Sequence, residues 1–116
     1  MLPISTQARF FLYSEAVDMR KSFDGLQGII NNSLKMNPLS GDVFIFINRR
    51  RNRLKLLVWD RSGFWLLYKR LEQGRFQYIV NSNDRSIELS YDSLIMLLEG
   101  IDLYSVKRRK RYKKPA

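Results

Sequence analysis

The sequence predicts an α+β domain: an antiparallel β-meander of four to five strands carrying two packed helices, in the order β-α-β-β-β-β-α. Three observations predict it. Residues 42–77 alternate short apolar runs with polar turns, the spacing of consecutive hairpins. Two further stretches, one before that block and one after it, place apolar residues at helical spacing. Of the 116 residues, 45% are hydrophobic and fifteen are aromatic, enough for one modest core. Residues 1–104 are the expected domain, and residues 105–116 a basic tail expected to be disordered.

The elements follow in order. RFFLYS (9–14) is a short run of aromatic and aliphatic residues and predicts a strand. Met19, Phe23, Leu26, Ile30 and Leu34 then recur at helical spacing, and Asp18 is a candidate N-cap. Gly25 and Gly28 lie inside this stretch; either they weaken the helix or they mark a close approach to a neighbour. Asn37-Pro38 and Ser40-Gly41 end it. DVFIFIN (42–48) has apolar residues at successive positions, so a strand there is covered on both faces. RRRNR (49–53) is a turn, LKLLVWD (54–60) a strand and Asp60–Gly63 a turn. FWLLYKRL (64–71) is a third strand of the meander, Glu72–Gly74 a turn, and RFQYIVN (75–81) a fourth strand. SIEL (86–89) is a brief extended piece. Ser90 caps a last helix whose Leu94, Leu97 and Leu98 form a stripe ended by Gly100.

The formal charge of +10 is concentrated. Residues 1–48 are neutral. Residues 49–75 carry +7, from nine basic residues against Asp60 and Glu72. Residues 76–104 carry −4, and the tail carries +7. In a meander, alternate turns share one end of the sheet. That gathers Arg49, Arg50, Arg51, Arg53 and Lys55 with Lys69, Arg70 and Arg75 at one rim. The second cluster is Lys107, Arg108, Arg109, Lys110, Arg111, Lys113 and Lys114. A run of like charge repels itself and stays solvated, so the tail is either a solubilising extension or a phosphate-binding arm. The hairpin cluster is likewise either a charged turn that guards a sheet edge or a group that reaches a nucleic-acid backbone. Two basic clusters on a small domain form the electrostatic footprint of a nucleic-acid binder. Trp59, Trp65, Tyr68 and Phe76 read first as core residues, with base stacking as the functional alternative.

Other chemistries lack their residues. The chain has no cysteine and no histidine, which excludes disulfides, Cys/His zinc sites and the commonest general base. Its eleven carboxylates are scattered, Ser14, Ser22 and Ser62 have no His partner, and no glycine-rich phosphate loop is present. No enzyme, metal or cofactor is expected on this reading. No apolar run reaches the length of a membrane span and no signal peptide opens the chain, so a cytoplasmic location is expected.

Several blocks together resemble a known family. They are VDMRKSFDGLQGII (17–30), the loop from Pro38 to Asp42, VFIFINRRRNRLKLLVWDRSGFWLLYKRLEQGRFQ (43–77), LLEGIDL (97–103) and the basic end KRRKRY. They are similar to the TnpB accessory proteins of the insertion-sequence family numbered sixty-six, which are unrelated to the RNA-guided nucleases of the same label. Residues 75–86 depart most from the family pattern. The resemblance implies an accessory role in DNA transposition beside a separate DDE transposase, with that transposase and other element-encoded proteins as partners. The DNA ends of the element are then the expected ligand of the two basic clusters. Two alternatives stand beside this: an adaptor that docks the transposase through the acidic segment without reading DNA, and a small histidine-free ribonuclease.

Overall fold

In a computed structural model of the chain, residues 5–79 and 83–100 are described. The elements are β1 (Phe10–Tyr13), α1 (Phe23–Gly28) running into a π-helical turn (Ile29–Ser33), β2 (Val43–Ile47), β3 (Arg53–Asp60), β4 (Gly63–Arg70), β5 (Ser86–Leu89) and α2 (Tyr91–Leu98). They form one five-stranded sheet in the order β4-β3-β2-β1-β5.

Alternation along the strands divides the apolar residues between two layers. Phe10, Leu12, Val43, Ile45, Ile47, Leu54, Leu56 and Val58 face α2, together with Phe76 and Tyr78. Phe11, Tyr13, Phe44, Phe46 and Leu57 face Leu26 and Ile30 of the first helical segment. The central strands are therefore apolar at successive positions because both faces are covered. Burying each such side chain contributes roughly 1.5–3 kcal/mol. Arg9 adds a polar link at the starts of β1 and β2: its guanidinium donates to both carboxylate oxygens of the buried Asp42, at 3.3 and 3.0 Å.

The structure corrects the expected fold in three places. The sheet is mixed rather than an antiparallel meander. β1 runs parallel to β2, with Phe11 opposite Phe44, and antiparallel to β5. A parallel neighbour requires a crossover, and the segment containing α1 supplies it. The second correction is at 75–81. Its described residues, 75–79, form no strand but an extended strap, because Phe76 and Tyr78 turn into the α2-side core. The strap is pinned by the Phe76 amide donating to the Arg51 carbonyl at 2.7 Å.

The third correction concerns the first helix, which starts at Phe23 with Ser22 in the N-cap position, so Asp18 caps nothing. Its carboxylate is engaged by the amide and guanidinium of Arg20. The last helix is as expected: the Ser90 hydroxyl accepts from the Ser93 amide at 3.1 Å, and Gly100 takes φ +75° just past the end. The tail, residues 105–116, lies outside the described residues.

Gly28 is the clearest place to improve this fold. It sits at φ −59° between the α-helical and π-helical turns, and a Cβ built there meets nothing within 4 Å. The close-approach reading of this glycine therefore does not hold. Gly28→Ala is expected to raise the unfolding free energy by about 0.5–1 kcal/mol in a urea titration, because it restricts the unfolded chain at no steric cost.

Candidate nucleic-acid interface

The basic rim is built on the β2–β3 turn. The Asn48 side chain organises it: Oδ1 accepts from the amides of Asn52 and Arg53, each at 3.0 Å, and Nδ2 donates to Asn52 Oδ1 at 2.8 Å. The Arg51 amide closes the turn onto the Asn48 carbonyl at 3.0 Å. Arg51 itself adopts φ +59°, the left-handed region that usually selects Gly or Asn. Its side chain compensates. The guanidinium stacks 4.2 Å from the Tyr78 ring centroid and donates to the Tyr78 carbonyl at 3.0 Å. Burial pushes the Tyr78 phenol up from its ordinary pKa, with Arg51 opposing the shift.

β3 and β4 pair with Arg53 opposite Arg70, and the Leu71 amide then donates to the Asn52 carbonyl at 2.8 Å. The turns at 49–52 and 71–74 thus share one end of the sheet, as expected for alternate turns of consecutive hairpins. Two arginines directly opposite each other repel. Each has a compensating partner: Arg70 donates to the Glu72 carboxylate at 2.8 Å, and Arg53 donates to the Tyr68 hydroxyl at 3.0 Å.

The other six basic residues of the rim fall into two groups. Lys55 and Lys69 point into the protein. Lys55 is 6% exposed, and its ammonium donates to the carbonyls of Met19 and Lys21, both at 2.7 Å. Lys69 donates to the Leu98 carbonyl at 2.7 Å, at the C-terminal end of α2, where a cation is favoured. With Arg51 on Tyr78, these three cations are structural struts. Arg49, Arg50 and Arg75 are exposed and make no ion pair or hydrogen bond with the described residues. The seven basic residues of the tail lie outside the described residues.

Folding adds a wall that the charge pattern did not show. The Val17 amide donates to the Ile47 carbonyl at 3.0 Å, which holds residues 16–20 against the exit of β2. Between that segment and the β2–β3 turn lies a groove of about 700 Å³. The segment contributes Ala16, Val17 and Met19 to its lining, and the β2–β3 hairpin and β4 contribute Arg49, Arg50, Arg53 and Tyr68. Arg20 and Asp18 also line it, and their hydrogen bonds lower the Asp18 carboxyl to about 2. Four arginines against one aspartate leave the lining strongly cationic. Tyr68 and Trp65 are half exposed, at 50% and 48%, so the core reading fails for both, whereas Phe76 is fully buried. Nothing in the sequence joined residues 16–20 to the rim, because that contact is made through tertiary structure. Among the described residues no group of acidic side chains could hold a metal, and no helix is long and apolar enough to cross a membrane.

A family model described as "IS66 Orf2 like protein" matches residues 8–108, nearly the whole domain and the start of the basic tail. The chain belongs to the IS66 Orf2-like family. The resemblance read from 17–30 and 43–77 is thereby confirmed. Two relatives from Sinorhizobium fredii (strain NBRC 101917 / NGR234) are similar over most of their length. "Uncharacterized protein y4jC" is 33% identical over 109 residues, covering 94% of this chain and 92% of the relative. "Uncharacterized protein y4hO" is 36% identical over 102 residues, covering 88% of each. No solved structure matches the chain. Membership in the IS66 Orf2-like family associates the protein with transposition of these insertion sequences.

Proposed function

We propose that the protein is a non-catalytic accessory factor of transposition. It grips DNA at the element ends through the arginine-rich turn and the basic tail, in support of a separate DDE transposase. The observation that carries this reading is the division of the rim cations. Lys55, Lys69 and Arg51 serve the fold, while Arg49 and Arg50 project from a turn that Asn48 holds in shape and Arg75 stands exposed at the start of the neighbouring strap. Cations left unpaired on a rigid tip suit phosphate, since backbone contacts set orientation and supply most of the affinity. The tail extends that grip without requiring a fixed geometry.

Salt dependence tests the tail directly. Deleting residues 106–116 removes seven positive charges. It is expected to flatten the slope of log affinity against log salt by several units, at roughly 0.9 per phosphate no longer neutralised on duplex DNA. An unchanged slope and affinity would remove the tail from the interface.

One observation favours a second role for the same protein. Helix α2 exposes Tyr91 and Ile95, at 37% and 40%, beside Asp92. An apolar, acidic face of this kind suits docking onto a partner surface that is apolar and basic, and the transposase is the partner proposed. A pull-down with the transposase in nuclease-treated extract tests it, and absence of association would count against it.

A further inference from the structure

The groove holds features that a duplex cannot use, and they point to a more specific ligand. We propose that it binds an unpaired nucleotide of a DNA strand, with the base against Tyr68 and the flanking phosphates on Arg49 and Arg50. This rests on the DNA-binding reading above and narrows it. The volume, about 700 Å³, lies within the roughly 300–1,000 Å³ of pockets that enclose small ligands. A duplex is convex and can touch the cationic rim, but its bases hide their faces in the stack. Only an unstacked base can present a face to an aromatic ring at the groove's lining.

Tyr68 is built for that contact. Half of its surface is exposed, yet the ring is held from two directions. The Lys55 ammonium lies 4.8 Å from its centroid, and its hydroxyl accepts from Arg53 at 3.0 Å. A ring already fixed loses little entropy when a base stacks on it. Ala16 and the partly buried Met19 add apolar surface to the same lining, which a phosphate-only site has no use for. Arg49 and Arg50 are exposed in the lining with their guanidinium groups uncommitted among the described residues, suited to the phosphates on either side of the base.

The test uses full-length protein and fluorescence anisotropy with three DNAs of one sequence: a blunt duplex, the same duplex with a short unpaired overhang, and a single strand. The overhang and the single strand are expected to bind more tightly than the blunt duplex. Tyr68→Leu is expected to weaken those two by roughly tenfold or more, while blunt-duplex affinity stays within about twofold. Tyr68→Phe, which keeps the ring, should retain most of the preference, separating stacking from a loss of fold; thermal unfolding of each variant checks the latter. Equal affinity for the three DNAs, or a Tyr68→Leu effect shared equally by all, would overturn the inference while leaving the duplex grip standing. A ribo-oligomer that binds more tightly than its deoxy counterpart would contradict the assignment to DNA. Failure to bind any of them would overturn the inference and the proposed function together.

Discussion

Replacing Lys55 by Met is expected to lower the unfolding free energy by about 2–4 kcal/mol. The side chain leaves the middle of β3 between Phe46 and Tyr68 and ends on two carbonyls outside the sheet. Hydrogen bonds from a charged donor contribute roughly 1.5–3 kcal/mol each. Met keeps the buried stem, so the loss reports the ammonium's bonds rather than a cavity. The effect extends beyond stability. Those bonds tie residues 19 and 21 to the sheet, and with them the wall formed by residues 16–20. The variant is therefore also expected to exchange the amides of 16–22 faster with solvent than the amides of β2. Denaturant unfolding and hydrogen exchange check the two parts. A change below about 0.5 kcal/mol, within the range of ordinary surface substitutions, would mean that Lys55 is not the strut described.

Replacing Arg49 and Arg50 together by Ala is expected to weaken DNA binding on the order of tenfold or more at 0.1 M salt, with little change in stability. Both side chains are exposed and bond to nothing among the described residues, so removing them orphans no buried group. The neighbouring Arg51→Ala should behave in the opposite way. It breaks the contact with Tyr78 and leaves a non-glycine residue at φ +59° without its support, so the loss falls on stability. Binding and unfolding measurements on the two variants separate a DNA contact from a structural strut beside it in the same turn.

Much of this was legible in the sequence, for identifiable reasons. Strands β2, β3 and β4 are neighbours in sequence joined by short polar turns, so local pattern fixes both their existence and their pairing. The parallel partnership of β1 with β2 was not legible, because nothing local distinguishes FFLY as a sheet centre from FFLY as an edge. The strap at 75–79 alternates like a strand, yet its inward residues are held by Arg51 and the core rather than by a ladder. Asp18 looked like a cap. The helix starts later because Lys55 takes the carbonyls of Met19 and Lys21, and Arg20 takes the aspartate itself.

The site divides in the same way. Charge density located the rim, but not which cations remain available there. Period-two alternation carried part of that answer: Lys55 shares its side of β3 with the buried Leu57, which already turns it inward. The groove's far wall and the exposure of Tyr68 depended on contacts between residues about thirty or more apart in sequence, beyond the reach of any local pattern.

The central claim is that the arginine tip of the β2–β3 turn touches DNA phosphates. The most direct test is the slope of log affinity against log salt for duplex DNA carrying the element ends, measured for the full-length protein and for the Arg49→Ala/Arg50→Ala variant. The account predicts a slope shallower by about 2 in the variant, near 0.9 for each phosphate that the missing guanidinium groups no longer neutralise. Parallel lines for the two proteins would contradict it.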